Sequence, residues 1–177
     1  MSGLSKGIER VEVRLKWDPS PLGTDPSDLD LIAATYLAND DHGDPVYLVH
    51  FASRSPDGTI WLNRDSQTGQ GLGFDEVMTL DLARLGAPYG RVVVGVAIQQ
   101  RHRRLEFGQV AGPGFEVVEG YTVLSEGEFA EVAGSTAATV AEFTRDPAHG
   151  EWEFHPLVRG YDADPDTFAN TMGRPPA

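Results

Sequence analysis

Val11-Glu12-Val13-Arg14-Leu15-Lys16-Trp17 alternates apolar and charged residues at every step. A period of two places the apolar side chains on one face of an extended chain and the charged ones on the other, the pattern of a β-strand with one wet face. Asp18-Pro19-Ser20-Pro21 stops that strand, because proline has no amide to give a ladder, and polar loop follows to Ser27. Leu29 to Leu37 is nearly continuous apolar sequence and reads as a strand buried on both faces. Val46 to Phe51 is another strand. Ser55-Pro56-Asp57-Gly58 has proline second and glycine fourth, as a type I turn prefers, so Thr59 to Leu62 reads as the return strand of a hairpin. Val77 to Leu82 follows as a strand, and Ala83 to Leu85 makes a helical turn. Valine-rich Arg91 to Ile98 reads as a central strand. Phe115 to Val118, Tyr121 to Leu124, Ala138 to Thr144 and Trp152 to Phe154 add shorter strands, with Arg145 to Gly150 as a late hairpin loop. Asp164-Pro165 caps a short helix over Asp166 to Met172. Many short strands between turn signals, with 20 glycines and 12 prolines, predict an all-β fold: an antiparallel two-sheet β-sandwich with a short C-terminal helix.

The 177 residues suit one domain over 1–177, with mobile ends about 1–6 and 173–177. Asp and Glu number 27 against 14 Lys and Arg, a formal charge of -13. That balance repels phosphates and argues against nucleic-acid binding; it suits cation binding or simple solubility. Without cysteine there are no disulfides, no thiolate metal site and no thiol nucleophile. His42, His50, His102, His149 and His155 lack metal-ligand spacing, which disfavours zinc. The first residues carry no apolar leader core, and no apolar run is long enough to cross a bilayer. A cytoplasmic protein with no membrane insertion is expected.

The chemistry concentrates in two places. Asp28 and Asp30 are two apart, so on a strand they share a face, where two like charges repel unless a cation or a donor neutralises them. The bland reading is an acidic strand entry dipping into solvent. The second place is Asp65-Ser66-Gln67-Thr68-Gly69-Gln70-Gly71-Leu72-Gly73-Phe74-Asp75-Glu76. Glycines at 69, 71 and 73 let a backbone fold tightly and turn its carbonyls inward; carboxylates beside such carbonyls are hard oxygen ligands of the kind Ca²⁺ takes. The spacing is not that of an EF-hand, a phosphate-binding Walker loop or a dinucleotide loop, and the bland reading is a hairpin connection. Arg101-His102-Arg103-Arg104 is a basic knot in an acidic chain. It could dock a phosphate or an acidic partner; a solvated loop is the expected role. Trp17, Trp61 and Trp152 read as core or rim packing. There is no G-x-S-x-G elbow, and no catalytic residue is assigned. The competing enzymatic reading is a metal-dependent hydrolase that uses the carboxylate cluster to activate water.

The chain resembles the tellurium-resistance TerD family of bacterial stress proteins. The residues that carry the resemblance are Asp28-Leu29-Asp30-Leu31, Leu37-Ala38-Asn39-Asp40, the Ser55-Pro56-Asp57-Gly58 turn and the glycine loop ending Asp75-Glu76. Asp81-Leu82, Phe107-Gly108-Gln109-Val110, Gly150-Glu151-Trp152-Glu153-Phe154 and Gly160-Tyr161 continue it, so that it covers about residues 5 to 172. The resemblance implies a β-sandwich that binds Ca²⁺ at one end, a role in stress responses that include tellurite resistance, and no established enzymatic reaction. The family loop usually reads like D-N-x-T-G-x-G-D-G-D-D-E. Asp65, Thr68, Gly69, Gly71, Gly73, Asp75 and Glu76 keep it; Leu72 and Phe74 stand where aspartates are usual, Gln70 where glutamate is common and Ser66 where asparagine is. By that resemblance the metal set is Asp28, Asp30, Asp65, Asp75 and Glu76, with loop carbonyls near Gly69, Gly71 and Gly73. Each missing acid removes a ligand and a charge, and ligand charge tunes Ca²⁺ affinity over orders of magnitude. The expectation is a non-enzymatic calcium-binding module with one weakened ion site and Leu72 and Phe74 beside it, working with protein partners of the stress-response system. The alternatives are the hydrolase and a metal-free adaptor for partner proteins. Oligomeric state is not readable from the sequence.

Overall fold

A computed structural model describes residues 7–64, 73–101 and 103–175. Ten strands run in chain order: β1 (Arg10–Lys16), β2 (Leu29–Leu37), β3 (Tyr47–Val49), β4 (Ile60–Arg64), β5 (Glu76–Asp81), β6 (Tyr89–Ile98), β7 (Gly114–Glu119), β8 (Thr122–Gly127), β9 (Ala137–Arg145) and β10 (Trp152–Tyr161). One α-helix, α1 (Pro165–Thr171), follows. One sheet has the order β4-β5-β1-β7-β8 and the other β10-β9-β6-β2-β3. All their pairings are antiparallel. This is the two-sheet sandwich with a short helix that the sequence predicts.

The alternation in β1 does what period two requires. Val11, Val13 and Leu15 are buried between the sheets, while Arg14 faces outward and pairs with Glu12 and Glu116. β2 is buried on both faces for a definite reason. Leu29, Leu31 and Ala33 enter the core between the sheets. Ile32, Ala34 and Tyr36 face the other way, into a second core with Phe168 and Met172 at the helix. Gly95 of β6 makes that second core possible, because a Cβ there would lie 2.4 Å from the Phe168 ring. The missing side chain is the socket for Phe168, whose full burial contributes ~2 kcal/mol. Asp164 caps the helix by accepting the Thr167 amide at 2.8 Å, which holds its carboxyl below the usual range. Arg91, almost fully buried, closes the far end of this layer by donating to Glu142 and to the carbonyls of Asp41 and Gly173.

The expected hairpin after Val46–Phe51 is not formed. β3 ends at Val49 and pairs with β2, whereas β4 pairs with β5 in the opposite sheet. The Ser55–Gly58 turn is present, and Gly58 adopts φ +72°, but it reverses the chain across the sandwich instead of within one sheet. β4 and β5 are the true hairpin, and the glycine loop joins them. β10 runs on to Tyr161, well past the predicted Trp152–Phe154.

Candidate functional site

Four carboxylates of the expected set stand at the starts of β2 and β5. Asp28, Asp30, Asp75 and Glu76 are all buried, Glu76 completely. Buried carboxylates cost much free energy unless donors meet them. Asp65, Gly69 and Gly71 lie outside the described residues. Gly73 adopts φ +81°, a conformation that favours glycine.

Asp75 and Glu76 are met by the backbone. Asp75 gives its amide to the Leu15 carbonyl and accepts the Trp17 amide on Oδ2 at 2.8 Å. Glu76 reaches across the sandwich and accepts the Leu31 amide on Oε2 at 2.6 Å. That amide is available because β3 covers only Ala33 to Thr35 along this edge of β2. One side chain of β5 thereby continues a ladder that β3 leaves short, and fastens one sheet to the other. Trp17 adds a second fastening: its indole N–H donates to the Ser27 carbonyl at 2.9 Å, next to Asp28.

Asp28 and Asp30 are met by side chains. Beyond β6 the ladder continues, with the Gln99 amide on the Asp28 carbonyl at 2.8 Å. In that register Gln99 Nε2 donates to Asp30 Oδ2 at 2.5 Å, and Arg101 Nη2 to Asp28 Oδ2 at 2.9 Å. Two acids two residues apart are matched by two donors two residues apart, one of them a cation. Asp30 faces the helix layer. There it lines a cavity of about 300 Å³ with Gln99, His50 and the start of α1. Burial pulls the His50 imidazole below its ordinary value of 6.5, and Asp166 partly opposes that shift. Asp30 and Glu76 therefore approach β2 differently, Asp30 on its outer face and Glu76 at its edge.

The basic knot is less idle than a solvated loop. Arg101 pairs with Asp28, and Arg104 pairs with Glu106 and Asp162 and donates to the Gly134 carbonyl. The sequence reading missed Gln99 and took Arg101 only as part of the basic knot, although their spacing mirrors that of the two acids. Leu72 lies outside the described residues, and the Phe74 ring has the Arg14 guanidinium 5.7 Å from its centre, on the outer face of the β1 sheet. Trp17 and Trp152 are core residues, and Trp61 stands at the rim under Arg10. Among the described residues no three acidic or imidazole side chains converge as a metal-holding group, and no helix is long and apolar enough to cross a membrane. A hydroxyl and an imidazole do meet, Thr144 Oγ1 with His155 Nε2 at 2.8 Å. Glu153 approaches that same nitrogen at 3.8 Å, so it does not orient the ring from the other nitrogen as a nucleophile–base relay needs.

Comparison with known proteins agrees with this architecture. The TerD domain model matches residues 1–171. The tellurium resistance protein TerD of Serratia marcescens is 29% identical over 168 residues, covering 91% of this chain and 85% of that protein. Its counterpart from an Alcaligenes species is 30% identical over the same shares. The crystal structure of a homologue of telluride resistance protein (TerD) from Streptomyces coelicolor A3(2) superposes with a TM-score of 0.93 at 55% identity, covering 96% of this chain and 100% of that one. With a family match over nearly its whole length, the chain belongs to the TerD domain family.

Proposed function

We propose that this protein is a calcium-binding, non-enzymatic module of a bacterial stress-response system of the tellurium-resistance kind, with a weakened ion site. The observation that carries the reading is the buried, all-carboxylate set Asp28, Asp30, Asp75 and Glu76, the last two following the glycine loop in sequence. Such oxygens are hard ligands, and a loop of mixed carbonyls and carboxylates favours Ca²⁺ over Mg²⁺, which demands a tight octahedron. The donor chemistry fits the ion. Asp65 and carbonyls of the loop would have to complete the shell, because the described acids do not form one alone. When bound, the ion would neutralise charge and tie the loop to the sandwich. Fewer acids than the family pattern mean lower affinity.

The test is calorimetric titration of chelator-treated protein with Ca²⁺ and with Mg²⁺, beside thermal melting. An ion held by the folded state alone raises the melting temperature by mass action. Heat of binding for Ca²⁺ with a raised melting temperature, both lost in Asp30→Ala, is the expected result. No heat and an unmoved melting curve would reject the reading. A second reading, a metal-free adaptor, draws on the internal donors Gln99 and Arg101 that already serve the acid pair. It predicts a melting curve indifferent to Ca²⁺. The partners of either module would be other proteins of the stress system.

A further inference from the structure

We propose that Arg101 is the built-in counter-cation of Asp28, and that it competes with a divalent cation for that carboxylate and so sets how weakly this chain binds Ca²⁺. The inference deepens the calcium reading and rests on it. Asp28 is buried, with 8% of its side chain exposed, and Arg101 Nη2 sits 2.9 Å from its Oδ2 while half of the arginine side chain stays in water. A buried carboxylate requires a positive partner or good donors, and the guanidinium supplies the charge that an ion would otherwise supply. The two cannot share one carboxylate without repulsion: a dication entering beside a fixed guanidinium meets a like charge at short range.

The two donors differ in kind. Gln99 brings Asp30 a neutral donor, whereas Arg101 brings Asp28 a full positive charge. The pair Asp28-x-Asp30 therefore carries less net attraction for a cation than its acids suggest. Arg101 can also leave. It stands beyond β6 with half of its side chain in solvent, and no described backbone carbonyl holds its guanidinium as Gly173 and Asp41 hold that of Arg91. The structure thus pairs an exchangeable cation with a buried acid just before β2.

The experiment compares wild type, Arg101→Gln and Arg101→Lys by Ca²⁺ calorimetry after chelator treatment, with melting curves in chelator. Arg101→Gln should bind Ca²⁺ about tenfold tighter than wild type, and Arg101→Lys, which keeps the charge, should stay near wild type. In chelator, Arg101→Gln should melt lower than wild type, and Asp28→Asn with Arg101→Gln should recover much of the loss, because a neutral amide needs no counter-charge. Equal Ca²⁺ affinity in wild type and Arg101→Gln overturns the competition while leaving the calcium reading intact. Binding in Arg101→Gln but not in wild type upholds the competition and removes the claim that the native chain is loaded. Binding in neither rejects both. If Arg101→Gln does not fold in any condition, the double variant decides: failure to restore folding shows that Arg101 serves something other than Asp28, and the proposal falls.

Discussion

The two halves of the carboxylate cluster look alike in sequence and differ in how they are satisfied. Asp75 and Glu76 receive main-chain amides, those of Trp17 and Leu31, whose positions the sheets themselves fix. Asp28 and Asp30 receive side-chain donors, Arg101 and Gln99. A backbone donor cannot withdraw without breaking the ladder around it; a side-chain donor can change rotamer. The first half is therefore a fastening between sheets, and the second is the half open to exchange. Burial is common to all four acids; what differs between the halves is the mobility of these donors.

The sharpest way to break this contrast is at Glu76. Glu76→Ala strands the Leu31 amide in the interior and should cost about 3 kcal/mol of stability, read by chemical denaturation with and without Ca²⁺. A loss under about 1 kcal/mol would make the cross-sheet fastening unimportant and collapse the distinction. Asp75→Ala removes the acceptor of the Trp17 amide and should cost about 2 kcal/mol, with Asp75→Asn, which keeps a carbonyl oxygen, recovering roughly half. On the exchangeable side, Asp30→Asn should cost under about 1 kcal/mol in chelator, since Gln99 can still donate to the amide oxygen. Under the calcium reading it should nevertheless erase the rise in melting temperature expected of the wild type with Ca²⁺. A large loss in chelator would place Asp30 with the structural pair.

The smallest effect concerns acidity. His50 lines the cavity beside Asp30, and burial holds its imidazole below 6.5. The folded chain then takes up this proton less readily than the unfolded one. Stability falls as the pH drops from about 6.5 toward the folded pKa, and levels off below it. His50→Gln should flatten that shallow slope in a pH series of melting curves, and nuclear magnetic resonance titration should place the imidazole below its ordinary value.

Much of the fold was legible because its signals are local. The alternation of Val11 to Trp17, the unbroken apolar run of β2, the valines of β6 and the Asp164-Pro165 cap each describe a few neighbouring residues, and each formed as read. The misread hairpin shows where locality ends. A type I turn says that a chain reverses, not which sheet receives it, and β3 and β4 part company across the sandwich. The acids of the site were legible by type and spacing. Their partners were not: Arg101 lies 73 positions from Asp28, and main-chain amides carry no mark in a sequence. The Gln99-x-Arg101 spacing against Asp28-x-Asp30 was the available clue, and it acquires meaning only once β2 and β6 are known to pair.

The socket at Gly95 gives the fold an order in time. A ribosome delivers Gly95 long before Phe168, so the outer face of the β6 sheet is assembled with an apolar hole in it that stays open until the last element is made. A chain that ended just after Tyr161 would keep all ten strands and leave a sticky patch over Ile32, Ala34 and Val93, the sort of surface that chaperones and proteases recognise. The helix is small, but it is what keeps that face of the sheet from standing as such a patch.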